Sequence, residues 1–174
     1  MDVKFHCSEE ANFKTEKQEV RAFSYTDYFI DPHNHDFYEM NIVLGGSGIH
    51  LIEGSRFSVG RGDVFVIPPK TVHAYFDTAG LEVYHVLFKK SFIENNRSEA
   101  ESADGFLRLM EIEPFLRQSY SEAMFLHLTP TELSAVMNDL WYLEEGGKFD
   151  SDGDLPLRNH TAWKVIYYLS HLLS

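Results

Sequence analysis

The amino-acid sequence predicts a mainly β barrel followed by two amphipathic α-helices. Between Val20 and Phe88, short apolar or alternating segments are separated at close intervals by Gly, Asp, Asn and Pro, as in a small barrel or sandwich. After Thr129, apolar residues recur every three to four positions, which is the helical period. We therefore divide the chain into a β domain over residues 1–128 and a helical segment over residues 129–174.

Composition and charge exclude several classes of partner. The chain has 174 residues, of which 44% are hydrophobic, enough for one domain with a packed core. Its formal net charge is -12, so this chain alone should bind neither nucleic acid nor an acidic membrane surface. Cys7 is the single cysteine, which excludes an internal disulfide and fits a reducing, cytoplasmic compartment. The N-terminus does not resemble a signal peptide, and no apolar segment approaches the roughly 20 residues that span a bilayer.

The β domain is divided by clusters of turn-forming residues. Glycine supplies positive φ in tight turns, and the pair Pro68–Pro69 ends a strand because proline donates no ladder hydrogen bond. The predicted turns are Gly45–Gly46, Glu53–Ser55, Gly60–Gly62, Pro68–Lys70 and Asp77–Gly80. The predicted strands are Val20–Ser24, Tyr38–Leu44, Gly48–Ile52, Arg56–Val59, Asp63–Ile67, Val72–Phe76 and Glu82–Phe88, with a last strand at Ala123–Leu128.

Two helices are predicted at the C-terminal end. Thr129 is placed as an N-cap, with Pro130 in the first and Glu132 in the third helical position, and Gly146–Gly147 ends this helix. A final helix begins near Pro156. The apolar stripes are Leu133, Val136, Met137, Leu140 and Leu143 in the first helix, and Ala162, Val165, Ile166, Leu169, Leu172 and Leu173 in the second.

The segments between these elements are predicted to be mostly polar. Residues 94–104 and 148–154 are acidic and are predicted as exposed loops. Residues 105–120 are predicted to hold one or two helical turns, which Pro114 interrupts.

The strongest chemical signal is a cluster of three histidines and a glutamate. His33, His35 and Glu39 are spaced so that, on one strand, all three side chains share a face. His73, from another predicted strand, can complete the set. Three imidazoles and a carboxylate suit divalent Fe, Mn, Ni, Cu or Zn, and ligand type alone does not select among them. The alternative is a pocket without metal, in which the same groups hydrogen-bond a ligand directly.

Further residues are predicted to line the same pocket. Asn41 shares the face of Glu39, and Tyr75 shares the face of His73, so both join the predicted ligand pocket. Simple filling of the barrel is the alternative for Tyr75. His85 is interpreted as a packed or rim histidine rather than a fifth ligand.

Two segments resemble the cupin motifs. His33–Gly46 is similar to the first motif at its two histidines, its glutamate and its closing glycine, and Gly62–His73 is similar to the second. Lys70 stands where the family usually has Gly, and Asp77 where it often has Asn. The resemblance implies a double-stranded β-helix barrel with a central pocket, which holds a metal in many members.

A narrower resemblance covers nearly the whole chain. His33, Phe37–Glu39, Gly46–Gly48, Gly62–Pro68 and His73 resemble the N-terminal domain of AraC-family transcription regulators. The resemblance implies that the barrel senses a small-molecule effector, a sugar or an organic acid, and that the helices form a homodimer. The basic domain with two helix-turn-helix motifs, by which such regulators bind DNA, has no counterpart in these residues.

The last helix is the predicted dimer interface. Trp163, Tyr167 and Tyr168 flank its main stripe, and this surplus of aromatic surface indicates a partner. The predicted interface residues are Val165, Ile166, Leu169, Leu172 and Leu173. The alternative is that this apolar stripe packs on its own domain, as most such stripes do.

The leading hypothesis is therefore a non-enzymatic sensor domain without catalytic residues. A metal-dependent cupin enzyme, such as a dioxygenase or isomerase, is the main alternative because the ligand set permits metal chemistry. A stand-alone sugar-binding module is the third. The segment before Val20 is a candidate lid over the pocket.

Overall fold

The computed structural model describes residues 2–120, 126–145 and 154–174, without the side chains of Tyr120 and Glu145. The predicted helix end at Gly146–Gly147, most of the predicted loop 148–154 and the first residues of the strand predicted from Ala123 lie outside the described residues. The strands are β1 Phe5–Cys7, β2 Val20–Tyr25, β3 Ile30–His35, β4 Tyr38–Ile52, β5 Ser55–Gly60, β6 Asp63–Ile67, β7 His73–Phe88 and β8 Leu126–His127. The helices are α1 Glu9–Asn12, α2 Lys90–Glu94, α3 Arg97–Ala100, α4 Glu113–Tyr120, α5 Pro130–Glu145 and α6 Leu155–His171.

The eight strands form one continuous hydrogen-bonded sheet, and its two long strands, β4 and β7, run through both halves, which are called here the first and the second sheet. In the first sheet, Tyr38–Val43 of β4 pairs with Val83–Phe88 of β7, and β2, β6 and β8 extend the pairing. In the second sheet, His50–Ile52 of β4 pairs with His73–Tyr75 of β7, and β1, β3 and β5 extend it. The predicted fold class is confirmed: the chain has a mainly β, cupin-type fold with two C-terminal α-helices.

β4 and β7 approach closely where β4 passes from one sheet to the other. Gly46 has φ +70°, and a Cβ at this position would lie 2.1 Å from the carbonyl oxygen of Gly80, so no larger residue fits. The pairing register between β4 and β7 shifts across this region. The turns predicted at Gly45–Gly46 and Asp77–Gly80 are therefore wrong, because these residues shift the register of continuous strands and do not end them.

β1 and β3 are strands that the sequence pattern does not predict. β3 contains Pro32, and its histidines are polar residues that face the interior, so the usual apolar alternation is missing. The pairing of β3 with β7 is irregular between Ile30 and His33, which accommodates the proline. β1 pairs with β3 in parallel, with Phe5 opposite His33. The N-terminal segment is thus part of the sheet that carries the histidines.

The helices pack on the outer face of the first sheet. Tyr84 of β7 illustrates the contact, because its hydroxyl donates to the carbonyl of Leu140 in α5. The sheet contributes Val20, Ala22, Met40, Ile42, Val64, Val66, Tyr84, Val86 and Phe88, and the two long helices contribute Leu133, Val136, Leu140, Leu143, Ala162, Val165, Ile166 and Leu169. Both predicted apolar stripes therefore face the protein's own core.

This packing corrects the predicted dimer interface. Val165, Ile166 and Leu169 are 1%, 0% and 0% exposed, so they offer no surface to a second chain. Leu172 and Leu173 are partly buried against the same core. The apolar stripe of α6 is satisfied within one chain, which is the ordinary role of such a stripe.

The segment before α5 is more helical than predicted. α3 lies inside the segment predicted as an exposed loop, and its Ala100 is fully buried. A turn of π-helix at Arg108–Ile112 leads directly into α4, where Pro114 occupies the first turn, a position that helices tolerate. Across the described ranges, no helix is both long enough and apolar enough to cross a membrane.

Candidate functional site

A cavity of about 450 Å³ opens beside β2, the β2–β3 turn and β3. This volume lies within the range of small-molecule pockets. Its lining combines aromatic rings with charged and imidazole groups. The aromatic residues are Phe23, Tyr25, Tyr28, Phe29 and Phe37, and the charged or imidazole residues are Arg21, Asp27, His33, His35, Glu39 and His85.

The predicted metal ligands gather in the interior, although not on one strand. His33 and His35 lie on β3, whereas Glu39 lies on β4, beyond a bend at residues 36–37. The single-strand argument is therefore wrong, but the three side chains still line one cavity. His73, on β7, is fully buried, and its Nε2 lies 3.7 Å from Oε2 of Glu39.

The other two predicted pocket residues lie deeper than the cavity lining. Asn41 and Tyr75 are both 0% exposed. The amide nitrogen of Asn41 donates to the hydroxyl of Tyr75 at 3.1 Å, and the Tyr75 ring lies flat on His50 with centroids 4.2 Å apart. Both residues therefore lie in the interior next to the histidines.

Glu39 is the centre of the cluster. Nδ1 of His85 donates to its Oε1 at 2.7 Å, and Nε2 of His35 lies 3.2 Å from its Oε2. Burial alone would raise the pKa of the Glu39 carboxyl, but its contacts with His35 and His85 hold the pKa well below its ordinary value. Glu39 is therefore an ionised carboxylate inside the protein.

The tautomers of two histidines follow from their backbone contacts. Nδ1 of His33 donates to the carbonyl of Asp31 at 2.9 Å, and Nδ1 of His35 donates to the carbonyl of Phe37 at 2.7 Å. In the neutral rings, Nε2 then carries a lone pair. A lone pair at His35 Nε2, 3.2 Å from a carboxylate oxygen, is repulsive unless a proton or a cation lies between them.

The cluster could hold a metal ion. His33, Glu39 and His73 each offer one ligand atom, and these atoms lie within 4.8 Å of one another. Nε2 of His35 and Nε2 of His73 are buried without a hydrogen-bond partner among the described residues, as expected of nitrogens that bind a metal ion. Backbone acceptors on the far nitrogens of His33 and His35 supply the outer contacts that orient metal-binding histidines.

Burial keeps several of these imidazoles neutral. Burial lowers the pKa of His33, and it lowers the pKa of His50 and of His73 to well below the ordinary value. Neutral imidazole is the form that binds a metal or accepts a hydrogen bond from a ligand hydroxyl.

Two histidines of the cluster were not among the predicted site residues. His50 is 0% exposed, and its Nε2 lies 3.5 Å from Nδ1 of His73. Counting in steps of two from Glu39 places His50 on the outer face, but the register shift near Gly46 turns it inward. His85 was interpreted as a packed histidine; it does pack on aromatic rings, and it also bonds Glu39.

Strand β2 supplies a wall of the cavity that the predicted site omits. Arg21, Phe23 and Tyr25 line the cavity, whereas Val20 and Ala22 belong to the core under the helices. The alternation of β2 is the sequence signal that could have identified this wall, because the odd-numbered residues of the strand share one face.

Comparison with known proteins identifies the family. Residues 17–135, more than half of the chain, match the family described as the AraC-like ligand binding domain. The chain belongs to the AraC-like ligand-binding domain family. The matched residues include the whole histidine cluster and the β2 wall.

Curated relatives of this AraC-like domain include transcriptional activators. The activator RhaR of Pectobacterium carotovorum is 38% identical over 56 residues, which are 32% of this chain and 20% of that protein. The activator RhaS of Yersinia pestis is 37% identical over 57 residues, 33% of this chain and 21% of that protein. The match thus spans about a fifth of the length of these relatives.

Some solved structures are similar to part of this chain. An RmlC-like cupin from Shewanella frigidimarina is 21% identical with a TM-score of 0.38, covering 42% of this chain and 69% of that one. Oxalate decarboxylase of Bacillus subtilis, whose Mn(II) centres were studied, is 26% identical with a TM-score of 0.36, covering 45% of this chain and 23% of that one.

Proposed function

We propose that this chain is the effector-sensing domain of an AraC-family transcription regulator. The observation that carries the proposal is the cavity of about 450 Å³, lined by His33, His35, Glu39 and His85, in a domain of the AraC-like ligand-binding family. Polar groups that converge on a partly aromatic cavity suit a small hydroxylated molecule, a sugar or an organic acid. DNA binding in such a regulator would belong to sequence outside these residues.

A divalent transition metal, Ni, Zn, Fe or Mn, fits this sensor site. His33, Glu39 and His73 would hold it, and His35 would complete the set with its unpartnered Nε2. A bound metal would supply a Lewis acid to which hydroxyl or carboxylate oxygens of the effector bind. Without metal, His33 still offers its Nε2 to the cavity as a hydrogen-bond acceptor.

The N-terminal segment supports a route from binding to output. The Phe5 ring lies flat on His33 with centroids 4.9 Å apart, although Phe5 is 41% exposed, and Cys7 and Asn12 line the cavity. An effector beside His33 would therefore change the contacts of this segment. The ligand can shift the segment only through different affinities for its two arrangements.

Ligand binding to the purified chain tests the proposal. A panel of sugars and organic acids is screened by thermal shift, with the protein in EDTA and with added Mn or Zn, and hits are measured by calorimetry. A ligand should raise the melting temperature and lose affinity in His33→Gln, whereas His127→Gln, 62% exposed and outside the cavity, is the matched control. Equal binding by both variants would remove the cavity from the proposal.

The metal cluster also keeps a metal-dependent enzyme as a second candidate function. His33, Glu39 and His73 form a set that could bind a substrate-activating metal. Incubation of each bound ligand with metal-loaded protein in air, followed by mass spectrometry, separates the two functions. A sensor returns the ligand unchanged, whereas catalytic conversion would favour the enzyme.

A further inference from the structure

Strand β2 presents a cationic and aromatic stripe to the cavity. Arg21, Phe23 and Tyr25 face the interior space, and Arg21 is the sole Lys or Arg in its lining among the described residues. Alternation along β2 requires this arrangement, because Val20 and Ala22 are committed to the core beneath the helices. The place of β2 in the sheet therefore fixes the side of the strand on which the Arg21 guanidinium lies.

Contacts hold the Arg21 side chain in place, but some of its N–H groups make no hydrogen bond within the described residues. Its Nη1 donates to the backbone carbonyl of Asn12 at 2.9 Å and lies 3.4 Å from the Asn12 side-chain oxygen. Its guanidinium carbon lies 4.7 Å from the centroid of the Phe23 ring. The guanidinium makes no other hydrogen bond within the described ranges, so Nε and Nη2 remain available. Such a pre-oriented fork matches the two oxygens of a carboxylate.

The charges of the cavity leave Arg21 without an acidic partner. The acidic residues of the lining are Asp27 and Glu39, and Glu39 is already in contact with His35 and His85. Asp27 is exposed in the β2–β3 turn and makes no ion pair with Arg21. A buried or half-buried guanidinium that lacks an internal anion is suited to an anion brought by the ligand.

The remaining walls define the rest of the ligand. The Tyr25 and Tyr28 rings are stacked, with centroids 5.6 Å apart, and flat aromatic faces of this kind pack against the C–H face of a sugar ring. His33 and the pair Glu39–His85 offer acceptors and donors to hydroxyl groups. A ligand that satisfies all three walls carries a carboxylate, an apolar face and several hydroxyls.

We propose that the cavity binds a sugar acid, with Arg21 as the residue that selects its carboxylate over the corresponding neutral sugar. This inference rests on the proposed sensing function and goes further by naming the effector class and the selecting residue. It places the carboxylate at the β2 side of the cavity and the hydroxyls at the histidine cluster.

Matched ligand pairs test the inference. Galactose is compared with galacturonate and galactonate, and glucose with glucuronate and gluconate, by calorimetry on the native chain and on Arg21→Gln and Arg21→Lys. We expect at least one acid to bind about tenfold or more tightly than its neutral sugar, because charge-assisted hydrogen bonds are roughly twice as strong as neutral ones. Arg21→Gln should remove that preference, and Arg21→Lys should retain part of it.

Two variants control for general effects. Arg56 also lies over an aromatic ring, Phe76, at 4.6 Å but outside the cavity lining, so Arg56→Gln should leave the preference unchanged. Asp27→Asn removes a negative charge from the lining and should preserve or increase acid binding. Tight binding of neutral sugars that Arg21→Gln does not alter would overturn the inference and leave the sensing function intact. Failure of both series to bind, with and without added Mn or Zn, would count against both.

Discussion

His85 and Glu39, on neighbouring strands of the first sheet, form a buried hydrogen bond of 2.7 Å between Nδ1 and Oε1. The His85 ring is also enclosed by aromatic side chains, with Phe23 stacked at 5.1 Å and Tyr28 at 4.6 Å between centroids. The hydrogen bond joins the wall of the cavity to the carboxylate at the centre of the histidine cluster. The orientation of Glu39 therefore depends on a residue outside the predicted ligand set.

Replacement of His85 should destabilise the fold through Glu39. In His85→Phe the ring volume is kept, but the buried carboxylate loses its shortest hydrogen bond, so we expect a loss of about 2–4 kcal/mol in the free energy of unfolding. The double variant with Glu39→Gln should lose less than the sum of the single variants. Urea denaturation in EDTA measures all three. Additive losses would show that the two side chains are not coupled.

A glycine pair tests the close approach of β4 and β7. Gly46→Ala places a methyl group 2.1 Å from the carbonyl oxygen of Gly80 at a positive φ, and we expect a loss of about 3 kcal/mol or more. Gly54→Ala is the matched control, since Gly54 also has a positive φ, +89°, but no atom lies within 4 Å of the added Cβ. That variant should lose about 1 kcal/mol. Equal losses of stability in the two variants would mean that the strain of a positive φ, and not a clash with Gly80, explains the cost at Gly46.

The metal-ligand pattern could be predicted from the sequence, but the full cluster could not. The spacing of His33, His35 and Glu39 and the position of His73 are visible in the sequence because they form motif-like strings. The inward orientation of His50 depends on a one-residue change of register near Gly46, which periodicity does not encode. A step-of-two count across a shift of this kind assigns every later residue to the wrong face.

Strand β2 shows a second reason why sequence analysis missed site residues. Val20 and Ala22 alternate with Arg21 and Phe23, so one face had to be core and the other not. On this strand one face packs under the helices and the other lines the cavity. Alternation alone does not distinguish a solvent face from a ligand-binding face.

Buried histidines should make the stability of the chain pH-dependent. The pKa values of His50 and His73 lie well below the ordinary value because both rings are fully buried. Below about pH 6.5 the unfolded chain takes up protons that the folded chain does not, so stability falls as the pH falls. Each histidine contributes a slope of up to about 1.4 kcal/mol per pH unit. The lowered pKa of Glu39 acts in the same direction but only near its unfolded pKa, about 4, and below.

Urea titrations from about pH 7 to pH 5 in EDTA measure this slope. His50→Gln removes one buried imidazole and should reduce the slope, whatever its effect on overall stability. His160→Gln, at an exposed position of α6, should leave the slope unchanged. A native chain whose stability is flat over this range would contradict the prediction.

The burial of the α6 apolar stripe changes the expected effect of substitutions at the predicted dimer-interface residues. Leu169 is 0% exposed in the core, so Leu169→Glu should unfold the chain by burying a charge, and not merely dissociate a dimer. Homodimer formation remains a proposal, and it would have to use exposed apolar side chains of the two helices. Trp141 on α5 and Leu157 on α6 are 57% and 55% exposed and meet this requirement.

We expect Trp141→Glu to weaken association by tenfold or more, because an interfacial tryptophan typically contributes at least about 1.4 kcal/mol to binding. The melting temperature at low protein concentration should stay close to that of the native chain. Light scattering across a concentration series measures association, and circular dichroism measures folding. Lys164→Glu, a charge reversal at an exposed position of α6, controls for general electrostatic effects. A folded, cooperative Leu169→Glu chain would contradict the observed core. A Trp141→Glu chain that associates as strongly as the native chain would place the interface elsewhere.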